Sequence, residues 1–223
     1  TNIKYLVDNG CNIWNQDAYR WYLKHYGKRL NYLSHAEFID EIKLGHIMTD
    51  YSDYKLGDLG KVYGEQWRNQ NGVDQLKTCI ERIKSDPMGR YAIIDAWNPS
   101  DFSEMALPPC HLLYQFNCRV LTYEEKIDWV LKNTDVELEN LYIYEETLKE
   151  STPNYYLDLQ MYQRSCDTFL GVPFNIASAS LLLHLIAKVV NMVPSKFIWV
   201  GGDTHIYENH LEQVNLQLNR DCK

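Results

Sequence analysis

The chain has 223 residues, of which 45% are hydrophobic and 23% charged, with a formal net charge of −8. That suits one globular domain with a real core and makes a broad nucleic-acid groove a poor expectation. A few local arginines would still suffice for a small anionic ligand. Six cysteines stand at 11, 79, 110, 118, 166 and 222 without Cys-x-x-Cys pairs or zinc spacing, so they read as free thiols of a reducing compartment. The longest apolar stretch, 181–190, is broken by His184 and Lys188 and is too short to span a bilayer, which makes the cytoplasm the expected location.

Residues 2–9 predict a short helix with Ile3, Leu6 and Val7 on one face, Thr1-Asn2 as its cap and Gly10 as its stop. A helix over 17–26 follows. Ser34 to Glu37 forms a capping box that opens a helix ended by Gly45, and 46–57 reads as loop. Gly57 to Gly64 lacks the Gly-Lys-Ser/Thr ending of a Walker phosphate loop and reads as a turn leading to Tyr63. Val73, Leu76, Ile80 and Ile83 mark a helix stopped by Asp86-Pro87. Tyr91 to Trp97 and Leu112 to Val120 read as strands. Thr122 to Glu125 is a second capping box, before a helix over 123–132. The acidic stretch 136–149 predicts another helix. Tyr155 to Tyr162 is a strand, Phe174 to Val190 a helix apolar on nearly all sides and so expected to be central and buried. Lys196 to Val200 is a strand, and Thr204 to Leu218 a closing helix. Strands and helices mix without strict alternation, which predicts an α+β fold: one mixed, twisted sheet with helices packed on it.

Two stretches carry the chemistry. Met105-Ala-Leu-Pro-Pro-Cys-His111 sets a cysteine behind two prolines, which stiffen its approach. Gln163-Arg-Ser-Cys-Asp-Thr-Phe-Leu-Gly-Val-Pro-Phe-Asn175 packs polar residues at the mouth of an apolar helix, a costly arrangement unless something uses it. Arg164 and Ser165 offer a planar fork of donors and a hydroxyl, fit for a phosphate. A nucleophilic Cys110 needs a lowered pKa, and Arg164 on another strand is a cation able to supply it. A cysteine hydrolase built on Cys110-His111 is remote, because neighbours on a strand point to opposite faces. Asp203-Thr-His205 has no third ligand nearby, so no metal is expected.

These stretches resemble thymidylate synthase, the folate-dependent family that methylates deoxyuridylate. Thr1 to Leu6 with Ile13-Trp14, Asp58 to Arg68, and Gly202 to Tyr207 agree with it, in the family's order. The resemblance implies a single catalytic domain over 1–223, as the central portion of a longer polypeptide, with inserted lobes at about 17–57 and 122–154. It implies Cys110 as the nucleophile that adds to C6 of uracil, Arg164 on both phosphate and thiolate, and Tyr63 in proton shuttling. Asp167 and Asn175 complete the catalytic set. Deoxyuridylate would also meet Arg90, His111, Gln163, Ser165, His205 and Tyr207. Asp167 also belongs to the folate positions, with Trp14, Leu107, Gly171 and Phe174. The co-substrate is 5,10-methylenetetrahydrofolate, and no metal is needed.

In the family an Arg-Arg couple reaches the partner's phosphate; here Arg90 matches the first and Tyr91 replaces the second. A homodimer is therefore implied, and its own messenger RNA is a further implied partner, with no membrane. Asn175 is the base reader, since an amide both donates and accepts, and asparagine rather than a carboxylate argues for uracil over cytosine. A helix N-cap is its plain alternative role. The family's general-base glutamate, amino-terminal phosphate loop and carboxy-terminal closing segment have no counterpart among the 223 residues. Two alternatives stand beside methylation: a deoxyuridylate hydroxymethylase on the same fold, and a non-catalytic nucleotide- or RNA-binding derivative.

Overall fold

The computed structural model describes residues 1–27, 31–46, 55–135 and 152–221. The expected helix over 136–149, most of the expected loop at 46–57, and Cys222 lie outside them. The described residues form two compact units: Thr1–Gln75 with Asp95–Pro109, and Leu76–Ile94 with Cys110–Lys223.

The first unit is helical. Helix α1 spans Lys4–Asp8, and the Asn2 side chain accepts from the Lys4 backbone N–H at its entrance. Helix α2 spans Asn15–Tyr26 and α3 His35–Leu44. The Ser34–Glu37 capping box is present, and Gly45 ends α3 in the left-handed conformation. Trp21, Tyr22, Phe38 and Ile42 meet Ile3, Leu59 and Met105 in one core. Each such side chain contributes about 1.5–3 kcal/mol on burial.

Helix α4, Tyr63–Asn69, is held by a buried amide. Gln66 donates to the Lys61 carbonyl at 3.0 Å and to Asp101 Oδ2 at 2.9 Å, and its own oxygen accepts from Asn98. The hydrogen bond from Gln66, with the ion pair to Lys61, holds the Asp101 carboxyl below the usual carboxylate range. Gly60 has φ +73°, and a Cβ there would lie 2.1 Å from the Glu104 carbonyl oxygen. Only glycine suits that close passage of two backbone segments.

Helix α5, Gln75–Ser85, buries Cys79 and Ile83. Val73, expected on its apolar face, lies outside it and is exposed, because Gln70 and Val73 pair their backbones in a turn. The strand expected over Tyr91 to Trp97 shrinks to β1, Ile93–Asp95. At its C-terminal end side chains supply the backbone partners: Gln75 both donates to and accepts from Asp95, and the Asp95 carboxylate accepts from the Trp97 N–H.

The second unit carries a mixed sheet in the order β1-β2-β3-β4. Strand β2 is His111–Val120, β3 Tyr155–Asp167 and β4 Val193–His205. β2 and β3 are antiparallel, and β3 and β4 parallel. Helix α6, Tyr123–Asn133, starts at the expected Thr122–Glu125 capping box. Helix α7, Gly171–Val189, packs on β3 and β4. Helix α8, Leu211–Leu218, follows a 3-10 turn at Glu208–His210. The α+β expectation with one mixed sheet holds.

Several expectations change here. β3 does not stop at Tyr162 but runs on to Asp167, and β4 runs on to His205, because Ser165, Cys166 and Asp167 pair with Asp203, Thr204 and His205. The closing helix accordingly starts at Leu211, not Thr204. α7 is not buried all round: Ala179, Leu183, Ile186 and Ala187 are buried, whereas Phe174, Leu181, Leu185 and Val189 are each more than half exposed. At 19 residues, α7 is also long and apolar enough to cross a membrane by length and composition, which the reading of 181–190 as the longest apolar stretch missed.

Candidate active site

The polar cluster lies where β2 begins beside the far half of β3. Cys110 sits immediately before β2, and its carbonyl accepts from the Arg164 N–H at 2.8 Å. That bond carries the antiparallel pairing one step past His111 and Gln163. It also sets the two side chains together: Arg164 Nη2 is 3.9 Å from Cys110 Sγ. A guanidinium at that distance favours a thiolate electrostatically. Close packing of β4 supports the position of Arg164. A Cβ on Gly202 would stand 2.8 Å from the Arg164 carbonyl oxygen, so only glycine lets β4 approach β3 there.

Gln163 is the buried hub of the cluster, at 2% exposure. Its Oε1 accepts from Trp199 Nε1 at 3.1 Å. Its Nε2 donates to the Ser165 carbonyl at 3.0 Å and to Asn175 Oδ1 at 2.9 Å. An indole N–H only donates, so Gln163 must turn its oxygen to Trp199 and its amino group to Asn175. The Asn175 amide is thereby oriented, with Oδ1 toward Gln163. Asn175 lies in the second turn of α7, four residues after Gly171, so the helix-cap role is excluded.

The Asp167 carboxylate accepts from the Leu170 N–H at 3.1 Å, closing the turn between β3 and α7. Around that turn Gly171 faces Asp167 and Asn175: a Cβ on it would meet Asp167 Cβ at 3.6 Å and Asn175 Oδ1 at 3.7 Å. Phe174 is exposed on the next residues of α7. His205 ends β4, paired with Asp167, and its ring meets Tyr207 edge-on at 5.0 Å. His205 Nδ1 lies 3.2 Å from the Asp203 carbonyl. Ser165 pairs with Asp203 across the same strands. Arg90 is exposed before β1, where the neighbouring Tyr91 carbonyl accepts from Arg82.

Trp14, Tyr63 and Leu107 belong to the first unit. Trp14 and Tyr63 meet there as an edge-on pair with centroids 6.1 Å apart. Leu107 follows Ala106, whose N–H donates to the Leu59 carbonyl. Sequence reasoning missed Trp199 and Tyr114, both of which bond to predicted site residues. Trp199 stands opposite Met161 in the β3–β4 register, a placement that only strand pairing reveals. Among the described residues, no group of three metal-ligating side chains comes together.

The whole chain, residues 1–223, matches the thymidylate synthase family. It is 44% identical over 223 residues to the thymidylate synthase of Mycoplasma pneumoniae, covering 100% of this chain and 64% of that protein. It is 46% identical over 220 residues to that of Mycoplasma mobile, covering 99% of this chain and 62% of the relative. The thymidylate synthase of Enterobacteria phage T4 is 45% identical over 170 residues, 76% of this chain and 48% of the phage protein. The chain belongs to the thymidylate synthase family. It spans about 64% of the length of the Mycoplasma pneumoniae relative.

Proposed function

We propose that this protein makes thymidylate from deoxyuridylate, with 5,10-methylenetetrahydrofolate as co-substrate and dihydrofolate as second product. The observation that carries the reading is the placement of Cys110 Sγ 3.9 Å from Arg164 Nη2, in a chain matching the family throughout. The Cys110 thiolate adds to C6 of the uracil ring and leaves an enolate at C5. The co-substrate supplies both the one-carbon unit and the hydride, so no metal or nicotinamide enters. Arg164 stabilises the thiolate and, with Ser165, holds the phosphate. Gln163 and Asn175 read the base, and His111 borders it. His205 and Tyr207 hold the deoxyribose 3′-hydroxyl, while Tyr63 moves a proton. Asp167, Gly171 and Phe174 are the folate contacts of the second unit and Trp14 and Leu107 those of the first, and the exposed Phe174 ring suits a flat pterin. The segments at about 17–57 and 122–154 are insertions in one catalytic domain, and the described part of the first contributes Trp21, Tyr22, Phe38 and Ile42 to a buried core.

The test is an assay of the whole protein with both substrates, with the product analysed for its C5 substituent. Thymidylate with stoichiometric dihydrofolate is the expected result. A hydroxymethyl product would instead establish the hydroxymethylase, and nucleotide binding without turnover the non-catalytic derivative. The names of the matched relatives favour the methyl product.

The exposed Arg90 supports a symmetric homodimer in which each arginine reaches the other subunit's phosphate. Sedimentation is expected to give a dimer at micromolar concentration; a fully active monomer would overturn that arrangement. The cytoplasm is the proposed location, in keeping with the five cysteines that stand unbridged among the described residues. α7 packs one face on β3 and β4. A net charge of −8 disfavours messenger RNA as a partner.

A further inference from the structure

The start of β2 brings together two side chains that a regular strand would separate. His111 pairs with Gln163 and Leu113 with Tyr162, so one extra residue, Leu112, is accommodated in a bulge. Residues three apart on an unbroken strand point to opposite faces. With Leu112 bulged, His111 and Tyr114 come to the same face. Tyr114 Oη then lies 2.6 Å from His111 Nδ1, and the two rings cross edge-on.

Tyr114 is 2% exposed, in line with Phe116 and Cys118 on the buried face of β2. A phenol at that depth needs an acceptor for its proton, and the lone pair of a neutral imidazole nitrogen is a good one. Burial keeps both groups neutral. It pushes the His111 pKa down to about 4, although the residue keeps partial exposure, and pushes the Tyr114 phenol well up. Between two neutral partners the phenol O–H is the more acidic donor, so it donates and Nδ1 accepts.

We propose that Tyr114 is a positioning residue that holds His111, next in sequence to Cys110, in the single tautomer with its proton on Nε2. The phenol occupies Nδ1 as donor, and the ring proton must then sit on the other nitrogen. The value of this to the reaction rests on the function proposed above. An Nε2–H is a donor, suited to a carbonyl oxygen of a pyrimidine or to a water bound there. The opposite tautomer would set acceptor against acceptor.

The test is two-bond ¹H–¹⁵N spectroscopy of histidine-labelled protein, with His111 assigned through His111→Gln. In the wild type His111 is expected as the pure Nε2–H tautomer, unchanged from about pH 6 to 8. In Tyr114→Phe, which keeps the ring volume, the two tautomers are expected to mix. kcat should fall by about tenfold with KM little changed, the scale of one lost orienting hydrogen bond. A wild-type His111 protonated on Nδ1, or an unaltered tautomer in Tyr114→Phe, would overturn the proposal. Should Tyr114→Phe not fold, the wild-type spectrum alone still decides. Because the tautomer is read without turnover, a protein that makes no thymidylate would sink the proposed reaction and leave this inference standing.

Discussion

Cys110→Ser is expected to lose turnover by on the order of 10⁴-fold or more while deoxyuridylate still binds, the scale reached when an enzyme's nucleophile is removed. Two features of the structure make the thiol matter. Pro108 and Pro109 restrict the backbone that delivers it. The Arg164 N–H then fixes the Cys110 carbonyl at 2.8 Å, so Sγ has a defined position 3.9 Å from a guanidinium. An alcohol in that position is not ionised near neutral pH, and the arginine has no anion to stabilise. The groups proposed to hold phosphate and base remain: Gln163 keeps its bonds to Ser165, Asn175 and Trp199, none of which involves Cys110, and Arg164 keeps its guanidinium for the phosphate. Calorimetric binding of deoxyuridylate and steady-state turnover separate the two effects. A serine variant with near wild-type rate would remove Cys110 from the reaction.

The local signals in the chain were legible without coordinates, and the non-local ones were not. The boxes at Ser34–Glu37 and Thr122–Glu125 satisfy orphaned helix N–H groups within a few residues, so sequence suffices to find them. The strand is legible over Tyr155 to Tyr162 and its end is not, because the run from Gln163 to Asp167 loses the apolar alternation. It extends because β2 pairs with it on one side and the end of β4 on the other. The same pairing converts Thr204-His205 from expected helix to strand.

Asn175 reads as a base reader with a helix cap as its alternative role, because asparagine favours caps. The helix begins instead at Gly171, and Asn175 turns inward to an amide twelve residues earlier in the chain. Cys110 and Arg164 were predicted to meet and do. Tyr114 was overlooked because a one-residue bulge, invisible in the period-two pattern of β2, decides which face His111 takes. The apolar face of α7 was expected to be buried from its composition. Composition sets what burial would stabilise, and does not set what is there to cover it.

Asn175→Asp is expected to lose deoxyuridylate and gain deoxycytidylate. The orientation of the wild-type amide follows from a chain of one-way donors. Trp199 donates to Gln163 Oε1, Gln163 therefore donates to Asn175 Oδ1, and the Asn175 amino group is left facing away as a donor. Uracil offers an acceptor at O4 and a donor at N3, which such an amide matches from both its atoms. Aspartate is nearly isosteric and still accepts from Gln163, so the side chain stays anchored and α7 keeps its tie to β3. What changes is the atom on the far side, from donor to acceptor. Against O4 of uracil two acceptors then face each other, at a cost of about 1–3 kcal/mol, or roughly ten- to hundredfold in affinity. Cytosine reverses the pattern with a donor at N4 and an acceptor at N3, and a protonated aspartate bridges the two. Deoxycytidylate turnover should accordingly rise as pH falls toward the range where a carboxyl carries its proton. Steady-state kinetics of both proteins on both nucleotides measure the exchange. An Asn175→Asp protein with an unchanged preference for uracil would mean that the amide only ties α7 to β3, and that another residue of the pocket chooses the base.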